Sequence, residues 1–405
     1  MRILIYGGTF NPVHQGHLNA VTRAAESLGP EKIFFIPTSI PPHKALAAGS
    51  PPAADRVGML ECVCAQLPGA RVLDMELKRE GPSYTADTLR ALKDQYPENE
   101  LIFLLGTDML LSLLTWHEPE TVMACASLAV YAREDDRGEE IRTMAERLRQ
   151  EYGATVYVLS GPSVEASSTE IRAALPKREG RDLVPAPVYG YIIRRRLYGA
   201  KPDLDWLRSK AYPYLKPKRV AHVQGVEAEA LELAARWGVD PGDAAEAAIC
   251  HDITKKLARD EQLRLCDKYA IMTDEYERGS EKLLHAKTGA AFAADQFGLS
   301  DDVALAIRFH TTGRTGMTTL EQITYLADYI EPGRYGFAGL AELRAVCYED
   351  LDQAMELASR MSIDEVRGKG YEPHRSTVDC HEWYRNNLRR RGLAPVRAQG
   401  IPDEV

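Results

Sequence analysis

The sequence predicts a parallel α/β sheet domain followed by an all-helical domain, and three observations carry that expectation. Over residues 1–198 short β-rich runs alternate with helical patterns. From about 220 onward apolar residues recur at three- and four-residue spacing with no strand pattern between them. Between the two, residues 199–217 carry three prolines and break the alternation. Domains of 1–199 and 200–390 are expected, with an Arg-, Pro- and Gly-rich segment 391–405 that should be mobile.

A chain of 405 residues suits two or three domains, and 45% hydrophobic residues is enough for full-sized cores. The formal charge of −9 argues against a general nucleic-acid or membrane-surface role, while leaving room for local basic pockets that hold small anions. Seven cysteines form no CxxC pair, so reduced thiols are expected. The chain starts in a strand and no apolar run approaches membrane-spanning length, which points to a cytoplasmic protein with neither nucleic acid nor membrane as partner. A homo-oligomer is left open.

In the first domain, runs 2–6, 32–37, 71–75, 101–105, 127–131 and 154–159 read as strands, with helices near 17–28, 54–67, 86–95 and 139–151. Such a series places ligands at the carboxyl ends of the strands. After the first strand, GGTFNPVHQGHL lets Gly7 and Gly8 approach a ligand closely and aims a helix start at it. His14 and His17 supply imidazole donors for phosphate oxygens. Neither GxxxxGK[ST] nor GxGxxG fits these residues, which sets aside the usual nucleotide motifs.

After the second strand, Pro41 and Pro42 stiffen a loop presenting His43 and Lys44. Asp55 and Arg56 open the next helix, where an Asp serves the helix dipole or a substrate equally well. After the third, Pro82, Ser83, Tyr84 and Thr85 precede a helix; free N–H groups beside an aromatic ring suit a flat ring bearing a carboxylate. The fourth strand leads to Gly106, Asp108 and a stacking face at Trp116. The sixth leads to Ser167, Ser168, Thr169 and Arg172, a second anion site. The run Arg194 to Arg196 reads as a solvated helix face.

Taken together, GGTFNPVHQGHL, PPHK, PSYTADTL, GTD with a downstream Trp, and SSTEIR resemble the bacterial nicotinate mononucleotide adenylyltransferases, of the HxGH nucleotidylyltransferases. That resemblance implies a Rossmann-like nucleotidylyltransferase fold and transfer of AMP from Mg²⁺-bound ATP to nicotinate mononucleotide. It implies ATP contacts at Gly7, Gly8, Thr9, Phe10, His14, His17, Gly106, Asp108, Ser168, Thr169 and Arg172. Mononucleotide contacts would come from His43, Lys44, Ser83, Tyr84, Thr85 and Trp116, with His14, His17, Lys44 and Arg172 as the catalytic set. Another mononucleotide or phosphopantetheine stands as the alternative substrate.

The helical half shows its pattern over 220–237, 243–258, 281–297, 301–310, 319–330 and 338–360. Inside these runs lie His222, His251, Asp252, His285, His310 and Asp328. Interior acids in AICHDITK and TYLADYIE would cost several kcal/mol each if unpaired, and a shared metal centre would satisfy the whole set. Imidazole and carboxylate without thiolate suit iron, manganese, zinc or nickel, and Asp252 beside His251 could bridge two ions. Lys255 falls one turn beyond Asp252, within reach of a phosphate.

Here the sequence resembles the HD metal-dependent phosphohydrolases, with His222, His251, Asp252 and Asp328 as H…HD…D and His285 and His310 where two-metal members add ligands. HDITK, LLHAKTGA, HTTG and LADYIEPGR resemble the subgroup that cleaves diadenosine tetraphosphate symmetrically. The resemblance implies two divalent transition metals, iron first, a dinucleoside polyphosphate substrate, and Asp252 and Lys255 as catalytic residues. A metal- and nucleotide-binding regulatory module without turnover is the alternative.

Overall fold

The computed structural model describes residues 1–38, 47–79, 81, 83–131, 138–159, 161 and 164–402. It divides into two compact units, Met1–Lys201 and Pro202–Val405. Among the described residues, no helix is long and apolar enough to cross a membrane.

The first unit is a Rossmann-like sheet of six strands in the order β3-β2-β1-β4-β5-β6, every pairing parallel. The strands are β1 (Arg2–Gly8), β2 (Lys32–Pro37), β3 (Ala70–Val72), β4 (Glu100–Leu105), β5 (Ser127–Tyr131) and β6 (Val156–Leu159). Chain order reverses between β1 and β4, so a crevice opens beyond their carboxyl ends. Ile3, Ile5, Phe34, Leu101, Phe103 and Leu128 fill the sheet's buried core, as expected of strands covered on both faces. Helices α1 (Gln15–Leu28), α2 (Ala53–Cys64), α3 (Thr85–Gln95), α4 (Thr107–Leu111), α5 (Pro119–Cys125), α6 (Gly138–Tyr152), α7 (Ser168–Ala174) and α8 (Ala186–Arg194) connect or cover them.

Two expectations change here. The third strand ends at Val72 rather than 75, because residues after Asp74 turn back with Leu77 and Lys78 N–H groups on the Asp74 carbonyl. Asp55 is buried and serves no dipole alone: it accepts from Tyr191 at 3.0 Å and Arg195 at 3.0 Å, joining α2 to the end of α8. Arg194 to Arg196 are exposed as expected, and Arg195 in addition anchors Asp55 from that solvated face.

The second unit is helical throughout its described residues. It comprises α9 (Leu204–Ala211), α10 (Pro217–Trp237), α11 (Pro241–Cys250), α12 (Arg259–Lys268), α13 (Glu275–Arg278), α14 (Glu281–Phe297), α15 (Asp301–Phe309), α16 (Thr319–Ile330), α17 (Leu340–Val346), α18 (Leu351–Gly368) and α19 (Arg375–Arg390). The apolar run 338–360 is two helices, since the Asp350 side chain caps a new start by accepting from Asp352 and Gln353 N–H. The 243–258 run stops at Cys250, where the chain turns through the His251–Asp252 pair.

Of the segment 391–405, expected to be mobile, the described residues 391–402 are held against this unit. The fully buried Arg360 donates to the Val396 carbonyl at 2.6 Å and the Pro402 carbonyl at 2.7 Å, and Ala398 is buried. A buried guanidinium needs acceptors, and the tail's carbonyls supply them.

Beside Arg360 lies His381, whose pKa burial pushes down to about 4, with Arg385, Arg360 and Arg367 pushing the same way. The unfolded imidazole titrates near 6.5. As pH falls from about 6.5 to 4, the unfolded chain takes up a proton that the folded unit refuses. Stability that is complete above about 6.5 should thus fall by roughly 3 kcal/mol. In urea titrations at pH 7, 6 and 5, His381→Gln is expected to flatten this loss for the second unit. An unchanged slope would rule the assignment out.

Candidate active sites

In the first unit His14 is the N-cap of α1, and its backbone N–H donates to His17 Nδ1 at 3.2 Å. Because Nδ1 accepts, the neutral His17 ring carries its proton on Nε2. Burial, with His14 alongside at 3.7 Å between ring centroids, holds the His17 pKa well below its ordinary value. The ring is a neutral donor rather than a cation. Gly16 allows the pair to close up, since a Cβ there would meet the His14 ring at 3.1 Å and the Val164 carbonyl at 3.2 Å.

The start of α7 docks on the same loop. Ser168 Oγ donates to the Pro12 carbonyl at 3.0 Å; Arg172 donates to the Asn11 carbonyl at 2.7 Å and to Thr169 Oγ1 at 3.1 Å. Thus His14, His17, Ser168, Thr169 and Arg172, far apart in sequence, are fastened around one turn beyond β1. Gly7 and Gly8 end that strand. Thr9 gives its carbonyl to Arg56 at 2.8 Å, and the same guanidinium binds the Thr38 carbonyl at 2.8 Å. The Phe10 ring is buried against Tyr6, His17 and Phe35 and packs beneath the His17 imidazole.

Gly106 and Asp108 are exposed where β4 passes into α4. Aromatic rings gather between the start of α3 and residues 112–118. Tyr84 lies against His117 with centroids 4.3 Å apart, and Trp116, half-buried, donates to Ser112 Oγ at 3.4 Å. Thr85 begins α3 behind Tyr84, which offers no side-chain cap, so the first N–H groups of that helix stay open. Ser83 is buried and its hydroxyl donates to the Glu76 carbonyl at 3.4 Å. Pro82, His43 and Lys44 lie outside the described residues.

In the second unit the six expected ligands converge. His222 Nε2 lies 3.0 Å from Asp328 Oδ1, His251 Nε2 3.3 Å from Asp252 Oδ2, and His285 Nε2 3.1 Å from Asp252 Oδ1. Two sets, His222–His251–Asp328 and His251–Asp252–His310, each bring their ligand atoms within 4.8 Å of one another. The sets share His251. His285 joins them through Asp252 and through His310, Nε2 to Nε2 at 3.2 Å.

Helix ends explain the ring orientations. His251 and His310 follow the last turns of α11 and α15, and each donates from Nδ1 to a carbonyl of that turn, Ala248 at 2.7 Å and Ile307 at 2.7 Å. Their Nε2 lone pairs are left facing the centre. His222 Nε2 and His251 Nε2 are buried without a hydrogen-bond partner, and two imidazole nitrogens face one another at His285 and His310. Divalent cations resolve these contacts, so the residues fit a metal centre. Burial alone would raise the Asp252 and Asp328 pKa values. Imidazole neighbours outweigh it and hold both carboxylates well below their usual range. A further group, Asp274, Glu277 and His374, is already closed by Lys287 on Glu277 at 2.6 Å.

Cations surround the carboxylates. Arg219 and Lys255 both contact Asp252, Lys255 at 3.0 Å, and Arg334 binds Asp328 at 2.9 Å.

Comparison with known proteins bears on each unit. Residues 5–174 match the cytidylyltransferase-like family model, and residues 219–333 match the HD domain model. The protein named "Probable nicotinate-nucleotide adenylyltransferase" from Symbiobacterium thermophilum is 37% identical over 203 residues, covering 49% of this chain and 95% of its own length. The protein of the same name from Geobacter sulfurreducens is 35% identical over 213 residues, covering 49% of this chain and 98% of its own. The chain belongs to the nicotinate-nucleotide adenylyltransferase family. To that family's unit it adds an HD domain, a fold that implies divalent-metal binding. A solved structure described as a "predicted HD superfamily hydrolase involved in NAD metabolism" from Clostridium acetobutylicum is 34% identical. It covers 45% of this chain and 97% of its own, with a TM-score of 0.44.

Within this adenylyltransferase-family chain, sequence reading gave no role to His117, Arg56, Arg219, Arg334 or Glu331. His117 stands next to Trp116 and could have been suspected. Glu331 and Arg334 stand in the LADYIEPGR run beside Asp328, whereas Arg56 and Arg219 carry no local signal, because their partners lie far along the chain.

Proposed function

We propose that the chain is a bifunctional enzyme. Residues 1–199 would transfer AMP from MgATP to nicotinate mononucleotide, giving nicotinate adenine dinucleotide and pyrophosphate. Residues 200–390 would hydrolyse a dinucleoside polyphosphate, cleaving diadenosine tetraphosphate to two ADP. The first reading is carried by the neutral His17 donor fastened beside His14 and Arg172, together with the names of the family relatives. A mononucleotide phosphate oxygen attacks the α-phosphorus in line, the bond to pyrophosphate breaks, and no covalent intermediate is needed. His17 Nε2–H, His14, Arg172 and Lys44 stabilise charge growing on the pyrophosphate.

The ring site favours the nicotinate form. Open N–H groups at the start of α3 suit a carboxylate, whereas an amide is a weaker acceptor and brings donors. A charge-assisted hydrogen bond is worth roughly 1.5–3 kcal/mol, so kcat/KM should favour nicotinate mononucleotide by about 10- to 100-fold. Equal efficiency with nicotinamide mononucleotide would overturn this.

The second reading is carried by the buried His/Asp sets within a ring of cations. His222, His251, Asp252 and Asp328 would hold one ion and His285, His310 and Asp252 the other, with iron expected and manganese, zinc or nickel as alternatives. Bound divalent metals supply Lewis acidity and a water that ionises near neutral pH. Arg219, Lys255 and Arg334 would grip phosphate oxygens, and symmetric products require attack at an inner phosphorus. Metal analysis with chromatography of the products tests this; ATP plus AMP would refute symmetric cleavage.

A further inference from the structure

We propose that Glu331 is the positioning residue that sets the His222 imidazole for metal binding, in a seat left open by glycines at 225 and 333. The inference rests on the metal-centre reading above.

To serve as a ligand through Nε2, a neutral histidine must carry its proton on Nδ1, and that proton needs an acceptor. His251 and His310 find theirs in carbonyls of the last helical turn just before them. His222 cannot do so. It lies inside the long helix α10, where carbonyls are engaged by the helix itself. Its acceptor must come from elsewhere, and the Glu331 carboxylate stands 3.1 Å from Nδ1.

Glu331 is held there tightly. It is buried at the C-cap of α16, three residues beyond Asp328, so one helix end supplies both a ligand and the support of its neighbour. The Gly333 N–H donates to its other oxygen, and the Arg334 guanidinium that binds Asp328 also approaches Glu331 at 4.0 Å. A Cβ on Gly225 would lie 2.5 Å from Glu331 Oε2, and one on Gly333 would lie 2.9 Å from it. Gly225 sits one turn after His222 in mid-helix, where glycine otherwise only weakens a helix. Its place is explained by the carboxylate that packs on it.

The test is Mn²⁺ titration of the metal-free full chain, followed through the signal of free Mn²⁺, with thermal melts of each metal-free protein. Glu331→Ala should weaken Mn²⁺ binding about 10- to 100-fold. Gly225→Ala should do the same by displacing the carboxylate, although alanine is the better helix former. Glu331→Gln should lose less, since its amide oxygen can still accept from Nδ1–H. Wild-type affinity in both alanine variants would overturn the inference while leaving the metal centre intact. A wild-type chain that takes up no Mn²⁺ would remove the centre and the inference together. Equal losses in all three variants, each matched by a lowered metal-free melting point, would assign Glu331 a structural role instead.

Discussion

Asp252→Ala is expected to abolish metal binding and phosphohydrolysis together while leaving adenylyl transfer at its wild-type rate. Asp252 reaches both halves of the cluster: Oδ2 meets His251 at 3.3 Å and Oδ1 meets His285 at 3.1 Å. Hydrolysis should fall on the order of 10³-fold or more, since removing even a single charge-stabilising donor costs ~10²–10³. Loss of the carboxylate also leaves Arg219 and Lys255 without their counter-charge. Both cations are partly exposed, so the stability lost should stay below the ~3–5 kcal/mol of a fully buried broken pair. Asp252→Asn, which keeps the volume, separates the two effects by retaining the fold without the charge. The two proposed sites share no residue, so a parallel loss of adenylyl transfer would contradict their independence. Metal retained by Asp252→Ala would contradict the ligand assignment.

His17→Ala should lower kcat for adenylyl transfer about a hundredfold, equivalent to ~3 kcal/mol, with little change in KM for the mononucleotide. The reason is geometric. With Nδ1 occupied by the His14 N–H, the ring offers a single preset donor at Nε2, and a preset donor stabilises developing charge without reorganising. Since His17 stays neutral well below its ordinary pKa, this contribution should persist as pH is lowered from 8 towards 6. Steady-state kinetics at several pH values checks both statements. Near-wild-type turnover in the variant would remove His17 from the phosphate site.

What the sequence by itself determined about this protein is what nearest neighbours along the chain encode. The alternation of strand and helix, the Gly7–His17 turn, the ends of α14 and α16, and the His251–Asp252 pair were all legible, because periodicity and capping act over a few residues. The candidate ligands were legible too, as ionisable residues inside apolar runs demand partners. Only the tertiary structure decided which partners they find. Asp55 meets Arg195 across 140 residues, Arg219 meets Asp252 across 33, and His222 meets Glu331 across 109. No local pattern reveals that the exposed Arg195 pairs with a buried Asp55, or that Phe10 and Ser83 are buried. The tail after 390 shows the same limit: its composition is that of a loose end, and the carbonyls that hold it matter only because Arg360 is buried beneath them. A side chain's burial and charge balance are set by what packs over it, and in this fold that comes from elements far away in sequence.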